Sequence, residues 1–115
     1  MDESEIKDYL SDKLKFTDTS LEKLEIFEKE LLSFNKEYNL ISKSTESIVW
    51  HRHILDSAQL VKFIDFQNNK SLSDLGSGGG FPGMVMAIFN ENPKFHVKLF
   101  EKSNIKASFL EKIAK

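Results

Sequence analysis

Cysteine is missing from all 115 positions, which excludes disulfides, thiolate nucleophiles and thiolate-bound metals. Such a composition suits a reducing cytoplasm, the compartment expected here. Glycine and proline are scarce, at five and two residues, and neither occurs among residues 1–66. A segment without either breaker has little to interrupt helices. No stretch approaches the roughly 18 consecutive apolar residues of a membrane span. The opening MDESEIKDYL is acidic and lacks the apolar core of a signal peptide, so no membrane partner is expected. Neither sign of charge dominates: 16 Lys and Arg stand against 18 Asp and Glu, for a net charge of −2. That balance gives no global basic footprint for nucleic acid, although a local patch is compatible with it. With 40% apolar and 30% charged residues, the chain has the make-up of one small globular unit.

What is present in residues 1–66 is helical periodicity. Ile6, Tyr9, Leu10 and Leu14 predict a short amphipathic helix, and Leu21, Leu24, Phe27, Leu31, Leu32, Phe34 and Tyr38 a longer one capped by Thr19 or Ser20. Residues 15–18 read as a turn and 42–47 as a polar break. A further helical pattern runs from Ile48 to Ile64, as one helix or two. Residues 1–66 are therefore expected to form an N-terminal helical subdomain. The polar cluster at 67–70 marks a boundary, and the grammar beyond it changes to strand, glycine turn, helix, strand, helix: Ser71–Leu75, the glycines, 84–89, 95–100 and 104–115. This order predicts one parallel βαβ crossover with a further helix behind it, over residues 71–115. Pro82 is expected just inside the first turn of its helix.

All five glycines and Pro82 fall within SDLGSGGGFPGM, residues 73–84. A strand running into Gly76-Ser77-Gly78-Gly79-Gly80 and then a helix presents bare backbone N–H groups at the positive end of that helix, and glycine lets a ligand approach the main chain. A dinucleotide fingerprint read from Gly76 needs glycine at 81, where Phe81 stands, and no Gly-Lys-Ser/Thr follows for a P-loop. The observed G-x-G-x-G spacing is typical of S-adenosylmethionine-dependent methyltransferases, which makes S-adenosyl-L-methionine the expected cofactor. Gly76, Gly78 and Gly80 are its candidate contacts. Glu101 follows the second strand 21 residues after Gly80, where a nucleoside-binding α/β unit places the acid that accepts from ribose hydroxyls. Asp74 either faces the methionine part of the cofactor or braces the amides of the loop. His51 and His53 are two apart and point to different sides of a helix, so no metal site is expected. His96, in the second strand, reads as packing or surface.

HRHILDS (51–57), SDLGSGGGFPG (73–83) and FEKSNIKASFLEKI (100–113), preceded by NKEYNLIS (35–42), resemble in order and separation the motifs of the bacterial small-subunit ribosomal RNA guanine-N7 methyltransferase family, RsmG, formerly glucose-inhibited division protein B. The resemblance runs from about residue 20 to 115. It implies transfer of the S-adenosylmethionine methyl group to N7 of a guanine in the decoding region of 16S ribosomal RNA, with the small ribosomal subunit as partner. It also implies an α/β fold: a truncated Rossmann-like class I methyltransferase core, βαβα, preceded by the helical subdomain. Gly76 and Phe81 correspond to family cofactor contacts, Gly78 and Gly80 shape the loop, and Glu101 takes the place of the ribose acid. The Phe81 ring either covers the cofactor or packs beneath the loop.

Neutral guanine carries a lone pair on N7, so the chemistry asks for alignment rather than a strong base, and no catalytic residue is assigned. The Arg52–Ser57 stretch lines the cofactor cleft, contacts RNA, or forms a network that fixes the helices on the sheet. Arg52, His53 and Lys106 are the candidate RNA-binding residues, with Lys36 and Lys43 as further phosphate contacts or plain solvated charges. Family members continue through further strands that carry adenine contacts and a motif for the target base. The present chain, with two strands, is expected to be an N-terminal part or truncated copy, inactive alone and open to self-association through its exposed sheet edge. The competing reading is a non-catalytic remnant that serves as a protein or RNA interaction module. A nucleotide-binding oxidoreductase fragment is disfavoured by the glycine spacing.

Overall fold

The computed structural model describes residues 2–68, 70–76 and 78–114. Ser77 of the glycine turn, Asn69 of the boundary cluster, Lys115 at the end of the last expected helix and Met1 lie outside the described residues.

Helix α1 (Glu3–Asp12) opens with a reciprocal cap: the Asp2 carboxylate accepts from the Glu5 N–H at 2.8 Å and Glu5 accepts from the Asp2 N–H. Its buried stripe is Ile6 and Leu10. Helix α2 (Asp18–Asn35) starts earlier than expected, because its cap is Thr17, whose hydroxyl accepts from the Ser20 N–H at 3.1 Å. Phe16, buried just before it, pins the chain against Phe89 and so fixes where the helix can begin. Ser20 lies inside the helix, bonded back to the Thr17 carbonyl. Leu24, Phe27 and Leu31 are buried at helical spacing, each contributing roughly 1.5–3 kcal/mol of transfer free energy.

The expected polar break at 42–47 is ordered as a 3₁₀ helix, Lys43–Ile48, stapled by the Ser42 and Thr45 hydroxyls. The pattern from Ile48 to Ile64 is one continuous helical path of changing pitch. A π-helical stretch, Trp50–Leu55, leads into a single α turn, α3 (Asp56–Ala58), and then a 3₁₀ turn, Gln59–Phe63. The wider π turn carries Arg52 and His53, in keeping with the frequent use of π turns at functional positions.

Strands β1 (Ser71–Leu75) and β2 (His96–Phe100) pair in parallel, Ser71 opposite His96 through Leu75 opposite Phe100. Helix α4 (Gly83–Phe89) connects them, and α5 (Asn104–Ala114) follows β2. Pro82 stands one position outside α4 as its cap, with a cis bond from Phe81, instead of inside the first turn. Strand β2 begins one residue later than expected because Phe95 is buried against Phe66. Both strands alternate in exposure: Leu72, Asp74, Val97 and Leu99 face the helices, while Leu75 at 79% and Phe100 at 50% lie open on the other face. Sheets of parallel strands are ordinarily covered on both faces, and this one is covered on one.

A single apolar cluster runs through both segments, joining Phe27 and Leu31 of α2 to Met84 of α4 and Phe109 and Leu110 of α5. The arrangement, helices with a small parallel sheet, fits the truncated class I methyltransferase core expected from the sequence. Among the described residues no helix is long and apolar enough to cross a membrane.

Candidate functional site

The glycine turn grows directly out of the sheet. The Gly76 N–H donates to the Phe100 carbonyl at 2.7 Å, so the ladder of β1 and β2 extends one residue into the loop. Gly76, Gly78 and Gly80 hold φ of 73°, 56° and 104°, in the region that side chains disfavour. At Gly76 and Gly78, a Cβ would meet nothing within 4 Å, so both look onto open space beside the sheet. Gly80 faces inward, where a Cβ would lie 3.1 Å from both Met84 and Phe27. Gly80, a candidate cofactor contact by sequence, is thus placed as a packing residue under the loop.

Two carboxylates brace the turn. Glu101, just past β2, accepts from the Gly78 N–H and the Ser103 N–H, both at 2.9 Å. Those backbone donors, Ser103 first and Gly78 second, hold its pKa below the ordinary carboxylate value. Asp74 accepts from the Gly83 N–H at 2.9 Å, which favours the bracing reading of that residue over a free carboxylate aimed at a ligand. Lys106, on α5, stands near enough to Glu101 to stabilise its charge and is not part of the pocket described next.

The Arg52–Ser57 stretch meets the end of the glycine turn. The His53 ring stacks on Phe81 with centroids 5.0 Å apart and planes 27° from parallel, and Phe81 also touches Phe27 at 5.3 Å. His53 Nε2 shares a 2.9 Å hydrogen bond with the Thr45 hydroxyl, which also lies 2.9 Å from the Ser42 carbonyl. Burial, with the Arg52 charge adding to it and Asp56 opposing it, lowers the His53 pKa and favours the neutral ring. Arg52, His53, Asp56, Ser57, Phe81 and Pro82, with Leu60 at the rim, line an open pocket of about 270 Å³. A larger groove of about 560 Å³ lies between α2, α4, β2 and α5, and none of the turn's glycines lines it. Lys36, Lys43 and His51 are exposed. Among the described residues, no group of His, Asp and Glu is arranged to hold a metal ion.

Three contributors escaped the sequence. Asn35, 2% exposed, accepts from the Leu40 and Ile41 N–H groups at 2.7 and 3.0 Å and donates to Glu46 at 2.6 Å. Leu40, so held, packs beneath Gly79. An asparagine at a helix end inside NKEYNLIS was the available signal, since such side chains bond nearby backbone. Gly83 is the second: a Cβ there would stand 2.6 Å from the Asp74 carboxylate and 2.9 Å from Leu99. Thr45 is the third, and its bond to His53 had no local signature.

The family model described as rRNA small subunit methyltransferase G matches residues 20–115. A curated relative from Pelagibacter ubique, Ribosomal RNA small subunit methyltransferase G, is 40% identical over 100 residues, covering 84% of this chain and 46% of that protein. The protein of the same name from Rickettsia felis is 47% identical over 97 residues, covering 83% of this chain and 47% of its own length. That from Rickettsia akari is likewise 47% identical, with 83% and 48% covered. The chain spans about half the length of the curated relatives it matches. Over that half, its glycine turn, its Arg-His-Ile-Leu-Asp-Ser stretch and the match itself agree, and the chain belongs to the rRNA small subunit methyltransferase G family.

Proposed function

We propose that the turn from Gly76 to Phe81 binds S-adenosyl-L-methionine, and that the protein serves methyl transfer to N7 of a guanine in 16S ribosomal RNA of the small ribosomal subunit, in the cytoplasm. The observation that carries this reading is the placement of two positive-φ glycines, with open space where side chains would stand, next to a carboxylate at the end of the adjacent parallel strand. A nucleoside fits such a cradle. Gly76 and Gly78 admit it to the backbone, Glu101 has lone pairs left for the ribose hydroxyls, and Phe81 closes the far side. Gly80 and Asp74 act by shaping the turn. When bound, the cofactor supplies an electrophilic methyl group on a sulfonium. The contribution of the chain is to hold and orient, because N7 needs no deprotonation.

The helical segment 1–66 and the βαβα segment 71–115 divide this work: the second offers the cofactor turn, and the first brings Arg52 and His53 to its edge for RNA, with Lys106 as a further phosphate contact. A chain spanning half of its relatives is proposed to bind cofactor without completing transfer by itself. The open edges of the two-stranded sheet are the surfaces through which two copies would associate.

Titration calorimetry with S-adenosylhomocysteine tests the central reading. Saturable binding is expected, and a folded sample that takes up none overturns it. Small ribosomal subunits lacking the modification should show no methyl incorporation with residues 1–115 alone.

A further inference from the structure

The groove of about 560 Å³ on the helical side of the sheet has no part in the reading above. Its wall on α2 is the stripe Lys23, Ile26, Phe27 and Glu30, spaced i, i+3, i+4, i+7 along one face of the helix. Ile88 of α4, Leu99 of β2 and Ile113 of α5 line it beyond. Phe27 is buried beneath the stripe, whereas Ile26 stands out at 62% exposure beside the apolar slot. A branched side chain left in water next to a slot lined by others of its kind is a knob and a hole on one surface. The two ends of the stripe carry opposite charges, two helical turns or about 10 Å apart. Lys23 is exposed and forms no ion pair or hydrogen bond among the described residues. Glu30 holds Lys112 at 3.1 Å through Oε2, and its Oε1 has no partner among the described residues.

We propose that this face joins two copies of the chain in a two-fold dimer, with the α2 helices antiparallel and the Ile26 side chain of each copy seated in the groove of the other. The order of charges selects that arrangement. Antiparallel pairing brings Lys23 of each copy against Glu30 of the other, twice over by symmetry, whereas parallel pairing sets Lys23 on Lys23 and Glu30 on Glu30. The midpoint of the stripe falls at Ile26 and Phe27, so the axis that matches the charges also brings the two knobs to the centre of the contact. A two-fold axis placed midway between a knob and a hole fills both holes at once. The Oε1 atom of Glu30 meets the incoming ammonium while Oε2 keeps Lys112. This surface is the helical side of the sheet and not its open strand edges, and it uses neither the glycines nor Arg52 and His53. One knob and one groove per copy make a small contact, so the association belongs in the micromolar range.

Sedimentation equilibrium of the full 115-residue chain across the micromolar range tests this. The apparent mass should rise reversibly toward twice that of one chain, and ¹H–¹⁵N spectra over the same concentrations should shift the amides of Ile26, Ile88 and Ile113. Ile26→Asp, at a position already in water, should keep the circular dichroism of the parent and stay at the mass of one chain throughout. Lys23→Glu and Glu30→Lys, each alone, turn both cross-copy pairs repulsive and should weaken the dimer about tenfold. Mixed one to one, those two variants again face Glu with Lys at both ends, so the mixture should recover most of the affinity that each component lacks. No role of the two residues within a single chain produces that recovery. A parent that stays monomeric into the millimolar range overturns the proposal and leaves the groove to another occupant. A dimer that survives Ile26→Asp overturns it in favour of another surface, such as the strand edges. A mixture no tighter than its components overturns the antiparallel pairing and the proposal with it.

Discussion

Gly76 and Gly78 differ from Gly79, Gly80 and Gly83 in what their missing side chains leave behind. Around the first pair a Cβ would meet nothing within 4 Å, whereas around Gly80 and Gly83 it would meet atoms at 3.1 and 2.6 Å. Gly79 is intermediate, in close contact with Leu31 and Leu40 at 3.4 Å. One short motif therefore answers two separate demands. Its exposed glycines keep room beside the sheet, and its buried glycines let α4 and α2 come close to β1 and the loop. Of the three glycines named as cofactor contacts from the sequence, Gly76 and Gly78 look onto open space and Gly80 packs under the loop, in keeping with a loop-shaping part for it.

This contrast can be broken by substitution. The largest effect is expected at the buried positions. Gly80→Ala combines a φ of 104° with contacts to Phe27 and Met84, and should cost about 3 kcal/mol of unfolding free energy. Gly83→Ala adds crowding without a φ penalty and should cost about 2 kcal/mol in the same denaturant titration. Costs under about 1 kcal/mol at both would show that the core relaxes around them and that the division is wrong.

A smaller effect on stability, with a sharp one on binding, is expected at Gly78. Asparagine tolerates its left-handed conformation, so Gly78→Asn should unfold within about 0.5 kcal/mol of the parent. Its side chain would stand in the open space, and measurable uptake of S-adenosylhomocysteine should disappear; unchanged uptake would place the ligand elsewhere.

The smallest effect concerns acid. Glu101 has its pKa lowered by the Ser103 and Gly78 N–H groups. A carboxylate depressed in the folded state stabilises above its unfolded pKa, and that contribution is lost as pH falls through the folded value. Hydrogen-exchange protection of the Gly78 amide should therefore hold at neutral pH and decline below the ordinary carboxylate range. In Glu101→Gln, protection should be weaker at neutral pH and flat across the same titration. A Glu101→Gln profile that still declines with acid would assign the effect to another group.

Much of the architecture was legible because it is written in local patterns. The buried stripe Leu24, Phe27, Leu31 follows helical spacing, and the strand Ser71–Leu75 sits between a polar cluster and the glycines. Boundaries were less legible where tertiary contacts decide them. Thr17 rather than Thr19 or Ser20 caps α2 because Phe16 is anchored by Phe89, a residue far along the chain. The π turn at Trp50–Leu55 has no signature in helical periodicity, since a single wide turn barely changes the spacing of apolar residues. At the site, Glu101 could be placed by its distance from the glycines. Its bond to Gly78, and that of Asp74 to Gly83, join residues 23 and 9 positions apart, and pairings of that kind leave no periodic trace.

Asn35 gives the glycine motif a dependence that its own twelve letters do not contain. Its carbonyl oxygen fixes the backbone at Leu40 and Ile41, and Leu40 forms the floor under Gly79. A graft of residues 71–83 into another strand–helix unit would carry the glycines and leave that floor behind. The turn is thus not a portable cassette. Its inheritance is tied to a helix that precedes it, and the two must travel together for either to keep its shape.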